Sequence, residues 1–579
     1  MSFAIPVAEQ TFLLDHVADL PALIASGRWP DLSADVVAAI VEGGAAFAES
    51  EYAPLNRIGD SQGAQWHDGK VMMPAGFRDA YQAFVANGWG TLSGAVEHGG
   101  QGLPATLALV MMENLGTANM GFSLINMLTP GAVEALSAHG SADQQARWLP
   151  KLITGEWSGT MNLTESQAGS DVGALISRVR TTDNGLYAIK GQKIFITFGD
   201  HDLTDNIVHL VLARTPGAPA GPKGISLFLV PKFWPDADGN PTQDNDVRCV
   251  SIEHKLGIHA SPTCVMVFGD EDRCLGELVG AENGGLAAMF TMMNNARLNV
   301  ASQGVQIGER AMQQAVAFAA ERVQSARADG SSGRSPVPII EHPDVQRMLL
   351  RMKALVQAAR ALTYYAAGQI DRGHQGDAQA ASRAALLIPL AKAYCTDIGC
   401  EVASIGIQVH GGVGYVEETG AAQHLRDARI APIYEGTNGI QAIDFVSRKL
   451  MADNGAAMAA LIADIRADRA VTPTLLALAD AVEACVAKAL AAETNARLSV
   501  AYPLLTMSAV MVCGWLMARQ TSAAQAQAEA GDSAPFLRMK QAVAAFYLDL
   551  IVPEAAGLQA AATARAQPYS ALTSEDLLL

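Results

Sequence analysis

Two patterns of apolar and polar positions divide this chain into helical and β-rich regions. Between residues 161 and 281 the apolar residues form short runs separated by Gly, Pro and Asp, a pattern typical of strands joined by turns. On both sides of this region apolar residues return every three or four positions, as in helices that bury one face. The pattern predicts a mainly helical α+β protein whose middle is a β-barrel or a β-sandwich.

The predicted elements follow from this pattern. Long helices are predicted over residues 106–139, 294–321 and 344–368, and Ser141 with Gln144 fits a capping box at the start of another helix. About four Ala-rich helical stretches follow residue 454, with a linker predicted at 520–535. Seven strands are predicted, over residues 179–181, 186–189, 193–197, 207–213, 225–231, 247–253 and 263–268.

The chain is too long for a single core, since 579 residues exceed the usual size of one domain. We predict five segments. They are an N-terminal extension (1–44), an N-terminal helical domain (45–160), a middle β domain (161–281), a helical bundle (282–452) and an additional C-terminal helical domain (453–579).

Composition and charge narrow the possible functions. The net charge is −18, with 40 basic and 58 acidic residues, which argues against nucleic acid as a partner. The seven cysteines form neither a CxxC motif nor a cluster with zinc spacing, so we predict no metal site. The N-terminus lacks the features of a signal peptide, which favours a cytoplasmic protein. The uncharged run 501–518 is borderline in length for a membrane span, and we interpret it as a buried helix.

Residues 431–441 carry the most informative candidate chemistry. Glu435 stands between Pro432-Ile-Tyr434 and a Gly-Thr-Asn-Gly turn, and Thr437 or Asn438 can cap the helix that follows. That helix is predicted to end at Asn454-Gly455. A carboxylate in an apolar cleft has a raised pKa and serves as a general base near neutral pH. The alternative is an ordinary solvated loop glutamate, and this stretch alone leaves both readings open.

Four motifs together resemble the acyl-CoA dehydrogenase family. Residues 434–441, Tyr-Glu-Gly-Thr-Asn-Gly-Ile-Gln, resemble the catalytic signature of that family. Residues 161–171 resemble its flavin and substrate loop, 191–197 its flavin-facing strand, and 408–414 its Gln-x-x-Gly-Gly-x-Gly loop. The motifs occur in the order of the family, and the resemblance covers roughly residues 45–450. It implies an FAD enzyme with the fold of the family, in which a β-barrel lies between two helical domains.

The resemblance also implies residue roles. Glu435 would remove the α-proton of an acyl-CoA while flavin N5 takes a hydride from the β-carbon, and Ser170, Arg297 and Tyr434 would bind the substrate. Two positions depart from the pattern: Phe195 replaces a tryptophan, and Gly439 stands where many members carry glutamine. The implied FAD-binding residues are Met161, Leu163, Thr164, Phe195, Thr197, Arg322, Gln408, Gly411, Gly412 and Thr437.

Partners and substrate are implied in the same way. Arg322 and the Gln408–Gly412 loop serve the FAD of a neighbouring subunit in the family, which implies a homodimer. Electron-transferring flavoprotein would be the electron acceptor. The end-to-end layout fits best the branch that contains 3-methylmercaptopropionyl-CoA dehydrogenases, which act in dimethylsulfoniopropionate breakdown. The alternatives are a medium- or long-chain fatty acyl-CoA dehydrogenase of β-oxidation, an acyl-CoA oxidase, or a non-catalytic flavin-containing binding protein.

Overall fold

A computed structural model describes residues 3–183, 185–531, 534–563 and 571–578. The chain forms two compact units. Residues 40–299 make up what we call the middle unit, and residues 1–39 together with 300–579 make up the helical unit. The predicted class, mainly helical with a sheet in the middle of the chain, is confirmed.

In the described residues, eight α-helices precede the large sheet. The predicted helix over 106–139 is two helices, because Asn119 leaves the helical conformation and its side chain accepts a hydrogen bond from the N–H of Phe122 at 3.1 Å. The Ser141–Gln144 capping box is present. The helices are α1 (Val7–His16), α2 (Leu20–Ala25), α3 (Ala34–Phe47), α4 (Asn56–Gln62), α5 (Phe77–Ala86), α6 (Ala105–Ala118), α7 (Met120–His139) and α8 (Ala142–Thr154).

The strands confirm the seven predicted runs, with 186–189 and 193–197 joined in one strand. Those not predicted are short or rich in polar residues. The strands are β1 (Gln65–His67), β2 (Lys70–Met72), β3 (Trp157–Asn162), β4 (Arg178–Thr181), β5 (Tyr187–Thr197), β6 (Asn206–Ala213), β7 (Ser226–Pro231), β8 (Phe233–Pro235), β9 (Pro241–Asp244), β10 (Val247–Ile252), β11 (Thr263–Phe268) and β12 (Leu275–Val279).

Eight of these strands form one sheet in the middle unit. Its order is β10–β11–β5–β12–β7–β6–β3, and β4 pairs with β5. All neighbouring strands are antiparallel except β3 and β6, which are parallel. The core of the sheet includes Ile196, Phe228, Met266 and Phe268, none more than 2% exposed. Strand β5 is central in the sheet: its last residues, 191–197, pair with β11, and its first, Tyr187 and Ala188, pair with β12.

Strand β3 is buried at every position although half of its residues are polar, which is why its apolar pattern gave no signal. Internal hydrogen bonds compensate for this burial. Ser158 Oγ lies 2.9 Å from His201 Nε2, and Thr160 Oγ1 lies 2.7 Å from His209 Nδ1. Burial lowers the pKa of His201 and His209 to about 3, so both rings are neutral and structural.

After the sheet, the described residues form thirteen further α-helices. The prediction of a linker at 520–535 is wrong for most of that range, because an α-helix continues to Glu529. Residues 532 and 533 lie outside the described part of the chain. The helices are α9 (Gly285–Glu321), α10 (Pro343–His374), α11 (Ala378–His410), α12 (Ala421–Ala428), α13 (Asn438–Asp444), α14 (Leu450–Ala452), α15 (Ala456–Ala467), α16 (Pro473–Ala491), α17 (Thr494–Ser499), α18 (Ala501–Glu529), α19 (Pro535–Phe546), α20 (Val552–Ala556) and α21 (Gln559–Ala562).

Within the helical unit, α9 and α11 pack closely. A Cβ on Gly304 would lie 1.9 Å from the carbonyl oxygen of Cys395, so only glycine permits this approach. Arg360 of α10 bonds Glu309 at 2.7 Å, with both side chains buried. Helix α18 is long and apolar enough to cross a membrane, but 83% of its most apolar window is buried within the protein. It is therefore the core helix of the C-terminal region, as predicted from its sequence.

Candidate active site

In the middle unit, Phe195 is displayed by a β-bulge. Ile194 and Phe195 of β5 together stand opposite Val265 of β11, since the pairs Ile196–Cys264 and Lys193–Met266 flank them. Phe195 has φ 59°, in the left-handed region, and its side chain is 58% exposed. A bulge of this kind re-aims a side chain next to a functional site. The strand thus presents an aromatic ring at the surface of the unit.

The loop predicted to bind flavin, within residues 161–171, is hydrogen-bonded to this bulge through its backbone. The carbonyl of Thr164 accepts a hydrogen bond from the N–H of Ile194 at 2.9 Å, and the carbonyl of Leu163 accepts one from Lys193 Nζ at 3.0 Å. The structure therefore brings Leu163 and Thr164 beside Phe195. Thr197 lies two residues further along β5, paired with Thr263 of β11.

A buried ion pair holds the same loop. Glu165 Oε1 lies 2.7 Å from Lys193 Nζ, and the two side chains are 4% and 0% exposed. The carboxylate also accepts hydrogen bonds from the hydroxyl of Ser177 at 2.6 Å and from the N–H of Ile176 at 2.8 Å. Burial alone would raise the pKa of Glu165, but Lys193 and these hydrogen bonds lower it to about 2. Glu165 is thus a charged anchor of the loop.

The other predicted residues of this unit lie in different environments. Met161 is buried near the end of β3, at 8% exposure. Ser170 is exposed on the loop after β3. Arg297 is 5% exposed on α9. Their roles toward FAD or substrate stay predictions.

In the helical unit, Glu435 lies on a strained loop before α13. Its φ is 54° and that of Gly436 is 85°, so two consecutive residues occupy the left-handed region. For a residue with a Cβ this conformation costs about 1–2 kcal/mol, and such strain persists only where neighbouring contacts enforce it. The side chain is half-buried. A strained, half-buried glutamate indicates a functional role more than a solvated loop position.

Several hydrogen bonds enforce this conformation. The N–H of Asn438 donates to the carbonyl of Pro432 at 2.9 Å, which closes the loop around Glu435. Gln441 Nε2 donates to the carbonyls of Glu435 and Gly436, both at 3.3 Å. Thr437 caps α13 by accepting from the N–H of Ile440, the first of the two caps predicted. The helical segment ends near Asn454, also as predicted.

Tyr434 connects this loop to α9. Its hydroxyl donates to Gln303 Oε1, and burial raises the pKa of Tyr434 above its ordinary value. The ring is therefore a neutral donor. This contact places the Glu435 loop beside the part of α9 near residue 303.

The remaining predicted FAD residues lie at another end of the helical unit. Gln408, Gly411 and Gly412 are exposed where α11 ends, and a Cβ on either glycine would meet nothing within 4 Å. Phe318 of α9 stacks on His410 at 4.5 Å, which places the end of α9, and hence Arg322, beside this group. Along α9, Gln303 and Arg322 are separated by about 28 Å at 1.5 Å per residue. Within one copy of the helical unit, this group therefore lies far from Glu435.

Sequence reasoning missed several residues that shape the candidate groups within each unit. The Glu165–Lys193 pair was not predicted, because lysine in a half-polar strand usually points to solvent. A signal was available, since the two residues lie in the matched motifs 161–171 and 191–197. Gln303 acts through a contact that no local pattern reveals. Gln441 ends the matched motif 434–441, but its bonds to the Glu435 loop were not predicted.

Family models cover nearly the whole chain. Models described as the N-terminal, middle and C-terminal domains of acyl-CoA dehydrogenase match residues 38–156, 160–270 and 283–451. A model described as acetyl-CoA dehydrogenase C-terminal like matches residues 448–573. The chain belongs to the acyl-CoA dehydrogenase family and is an oxidoreductase.

Individual relatives narrow the comparison. The 3-methylmercaptopropionyl-CoA dehydrogenase of Ruegeria pomeroyi is 44% identical over 576 residues, covering 96% of this chain and 97% of the relative. A butyryl-CoA dehydrogenase of Syntrophomonas wolfei is 37% identical, covering 86% and 87%. The acyl-CoA dehydrogenase from Bacillus anthracis, solved in complex with FAD, shares the fold at a TM-score of 0.73 and 21% identity, covering 95% of this chain and 90% of that one.

The family uses FAD, and the residues of this chain fit that cofactor. Phe195 offers an exposed aromatic face beside the backbone of Leu163 and Thr164, which suits a flat, partly apolar ring system. Gly411 and Gly412 leave open space where side chains would otherwise stand, which suits close approach of a cofactor to backbone. FAD is therefore the cofactor of this enzyme.

Proposed function

We propose that the chain catalyses α,β-dehydrogenation of an acyl-CoA thioester, with Glu435 as the base that removes the α-proton. The observation that carries this proposal is the left-handed conformation of Glu435 on a loop closed by Asn438 and Gln441. A strained conformation fixed in this way keeps the carboxylate in one position, which general-base catalysis requires. Bound FAD supplies the acceptor for the hydride that leaves the β-carbon.

The hard part of this reaction is removal of a weakly acidic proton next to the thioester carbonyl. Hydrogen-bond donors directed at the carbonyl oxygen make that proton more acidic, and one such donor is worth roughly 3 kcal/mol. We propose the backbone N–H of Glu435 for this role, as the resemblance implies. Gln441 donates to the carbonyls of Glu435 and Gly436, which fixes the two peptide planes that directly follow this N–H.

The residues that would hold FAD form two groups. Leu163, Thr164, Phe195 and Thr197 would contact the isoalloxazine ring, the first through its backbone. Phe195 keeps the apolar contact of the usual tryptophan but has no N–H donor. Arg322, Gln408, Gly411 and Gly412 would contact the FAD of a partner subunit.

We further propose a homodimer. The separation of about 28 Å along α9 between the Glu435 loop and Arg322 supports two different FAD sites for these groups. Beside the glycines, Val413, Tyr415 and Val416 are 48%, 85% and 46% exposed, an apolar surface that a second subunit would cover. Light scattering should give a mass of twice 60.7 kDa, whereas a mass of 60.7 kDa at every concentration would contradict the dimer.

As substrate we propose 3-methylmercaptopropionyl-CoA, in dimethylsulfoniopropionate breakdown. The identity of 44% to an enzyme of that name, over nearly both full lengths, supports this choice. The butyryl-CoA dehydrogenase relative favours the alternative, a straight-chain fatty acyl-CoA. We propose electron-transferring flavoprotein as acceptor and the cytoplasm as location.

An anaerobic titration distinguishes these substrates. We expect the flavin band to bleach nearly stoichiometrically with 3-methylmercaptopropionyl-CoA, because a dehydrogenase stores the two electrons of its substrate until an acceptor arrives. Butanoyl-CoA and dodecanoyl-CoA, added to parallel samples, are the comparisons. Bleaching by dodecanoyl-CoA alone would move the protein to fatty-acid oxidation, and bleaching by none of the three would contradict the proposed reaction.

A further inference from the structure

A chain of hydrogen bonds runs from the C-terminal region to the Glu435 loop. The hydroxyl of Tyr502, on α18, donates to Asp397 Oδ2 at 2.6 Å. The other oxygen of that carboxylate, Oδ1, accepts from Asn438 Nδ2 at 2.8 Å. Asn438 is the first residue of α13, three positions after Glu435. The contacts therefore connect α18, which lies outside the helical bundle predicted over 282–452, to the loop of the proposed base.

Asn438 is fixed in every direction. Its Nδ2 also donates to the carbonyl of Ala393 at 3.1 Å, and its Oδ1 accepts from Lys392 Nζ at 2.9 Å. Its backbone N–H closes the loop on Pro432. Because one residue makes both the side-chain bonds and the loop closure, a shift of Asn438 as a whole would move the loop around Glu435.

Asp397 is the connecting group. It is a largely buried carboxyl on α11, and burial raises its pKa above the ordinary value. The hydrogen bonds from Tyr502 and Asn438 and the charges of Lys392 and Arg429 offset only part of this rise. A buried carboxylate needs its lone pairs satisfied by donors in fixed positions. The hydroxyl of Tyr502 satisfies one oxygen and thereby directs the other toward Asn438.

We propose that Tyr502 is a positioning residue for catalysis, acting through Asp397 and Asn438 on the loop that carries Glu435. It gives the additional C-terminal region a role in the reaction beyond packing. This inference rests on the proposed function, because it assumes that Glu435 is the base.

The chain offers a matched control. Tyr547, in the same C-terminal region, bonds through its hydroxyl to the hydroxyl of Tyr394 on α11 at 2.9 Å. Tyr394 lies only three residues before Asp397, and like Tyr502 the control residue forms one hydrogen bond from the C-terminal region to α11. Unlike the bond from Tyr547, the bond from Tyr502 continues through Asp397 to Asn438; Tyr502 is also more exposed, at 39% against 0%. Each Tyr→Phe change removes one such hydroxyl, so their comparison separates positioning from packing.

The test compares Tyr502→Phe with Tyr547→Phe in the full-length FAD-loaded protein. Stopped-flow flavin reduction by the best substrate of the titration gives the rate, and α-deuterated substrate gives the isotope effect. We expect Tyr502→Phe to reduce the rate about 10-fold, the usual worth of one charge-assisted hydrogen bond, with a larger isotope effect and unchanged substrate affinity. Tyr547→Phe should stay within about two-fold in rate while losing more thermal stability, because it leaves the hydroxyl of the buried Tyr394 without its partner.

A second readout isolates the base. Reduced FAD accepts no hydride, so exchange of substrate α-protons with deuterated solvent in the reduced protein reports proton removal alone. Tyr502→Phe and Asp397→Asn should slow this exchange similarly, and the double variant should be no slower than either, as expected of residues in one chain.

Each outcome is informative. Equal slowing by Tyr502→Phe and Tyr547→Phe, or a Tyr502→Phe rate equal to that of the wild type, would overturn the positioning role and leave the proposed function intact. A wild-type protein whose flavin no acyl-CoA reduces would overturn the proposed function and this inference with it.

Discussion

Replacing Glu435 by glutamine is expected to leave a yellow protein that binds acyl-CoA but reduces its flavin between about 10²- and 10⁴-fold more slowly. Glutamine keeps the size of the side chain and the loop conformation, but an amide cannot accept the α-proton. Binding should persist because the hydrogen bonds from Asn438 and Gln441 that close the loop are kept in the variant. Anaerobic stopped-flow absorbance of the flavin measures the rate.

The control for this variant is Glu529→Gln, an exposed carboxylate at the end of α18 in the same unit. Its flavin reduction should match that of the wild type. If the flavin of Glu435→Gln is reduced at a rate within a few-fold of the wild-type rate, proton removal must be assigned to another group. Loss of FAD from the variant would instead indicate that the side chain has a structural role.

Replacing Glu165 by glutamine is expected to cost about 3–5 kcal/mol of stability, because it leaves the buried charge of Lys193 without its partner. The NH₂ group of the glutamine would also face groups that are themselves hydrogen-bond donors, among them the N–H of Ile176. Since the same lysine holds the carbonyl of Leu163, the flavin loop should loosen and FAD retention should fall. Urea unfolding measures the stability, and absorbance after gel filtration measures retained FAD.

The pH dependence of stability gives this prediction a second readout. The folded pKa of Glu165, about 2, lies below its ordinary value of 4.5, so its contribution is fully present above pH 4.5 and is lost as pH falls toward 2. The wild type should therefore lose more stability than Glu165→Gln over this acidic range. Asp272→Asn, which alters an exposed ion pair with Lys190 on the same strand, should leave the urea midpoint unchanged. An equal midpoint for Glu165→Gln and the wild type would contradict the anchoring role of the pair.

Local signals predicted much of the architecture from the sequence. Strand Thr263–Phe268 was predicted with its observed bounds, since an apolar run between turn residues depends little on distant contacts. The cap at Thr437 and the end of the helix near Asn454 follow from residue types that favour these conformations. Helix 106–139 was predicted as one element because the apolar period continues across Asn119, although asparagine before an apolar run was an available signal.

The parts of the site that the sequence did not reveal depend on contacts between distant residues. The bulge at Phe195 arises from the register between β5 and β11, which a single strand does not encode. The left-handed conformation of Glu435 is imposed by Pro432, Asn438 and Gln441 acting together. Tyr502 lies 105 residues from Asp397 in sequence, and nothing in its neighbourhood distinguishes it from an ordinary helix residue.

The fate of the substrate hydrogens tests the central claim most directly. The preferred acyl-CoA, labelled with deuterium at the α-carbon in one sample and at the β-carbon in another, would react anaerobically for a single turnover with the FAD-loaded protein. We expect an α,β-unsaturated thioester two hydrogens lighter than the substrate, with one α-deuterium released to solvent and a slower flavin reduction for the α-labelled sample. A thioester recovered unchanged, or flavin reduction without loss of an α-deuterium, would contradict proton removal by Glu435 as the chemistry of this protein.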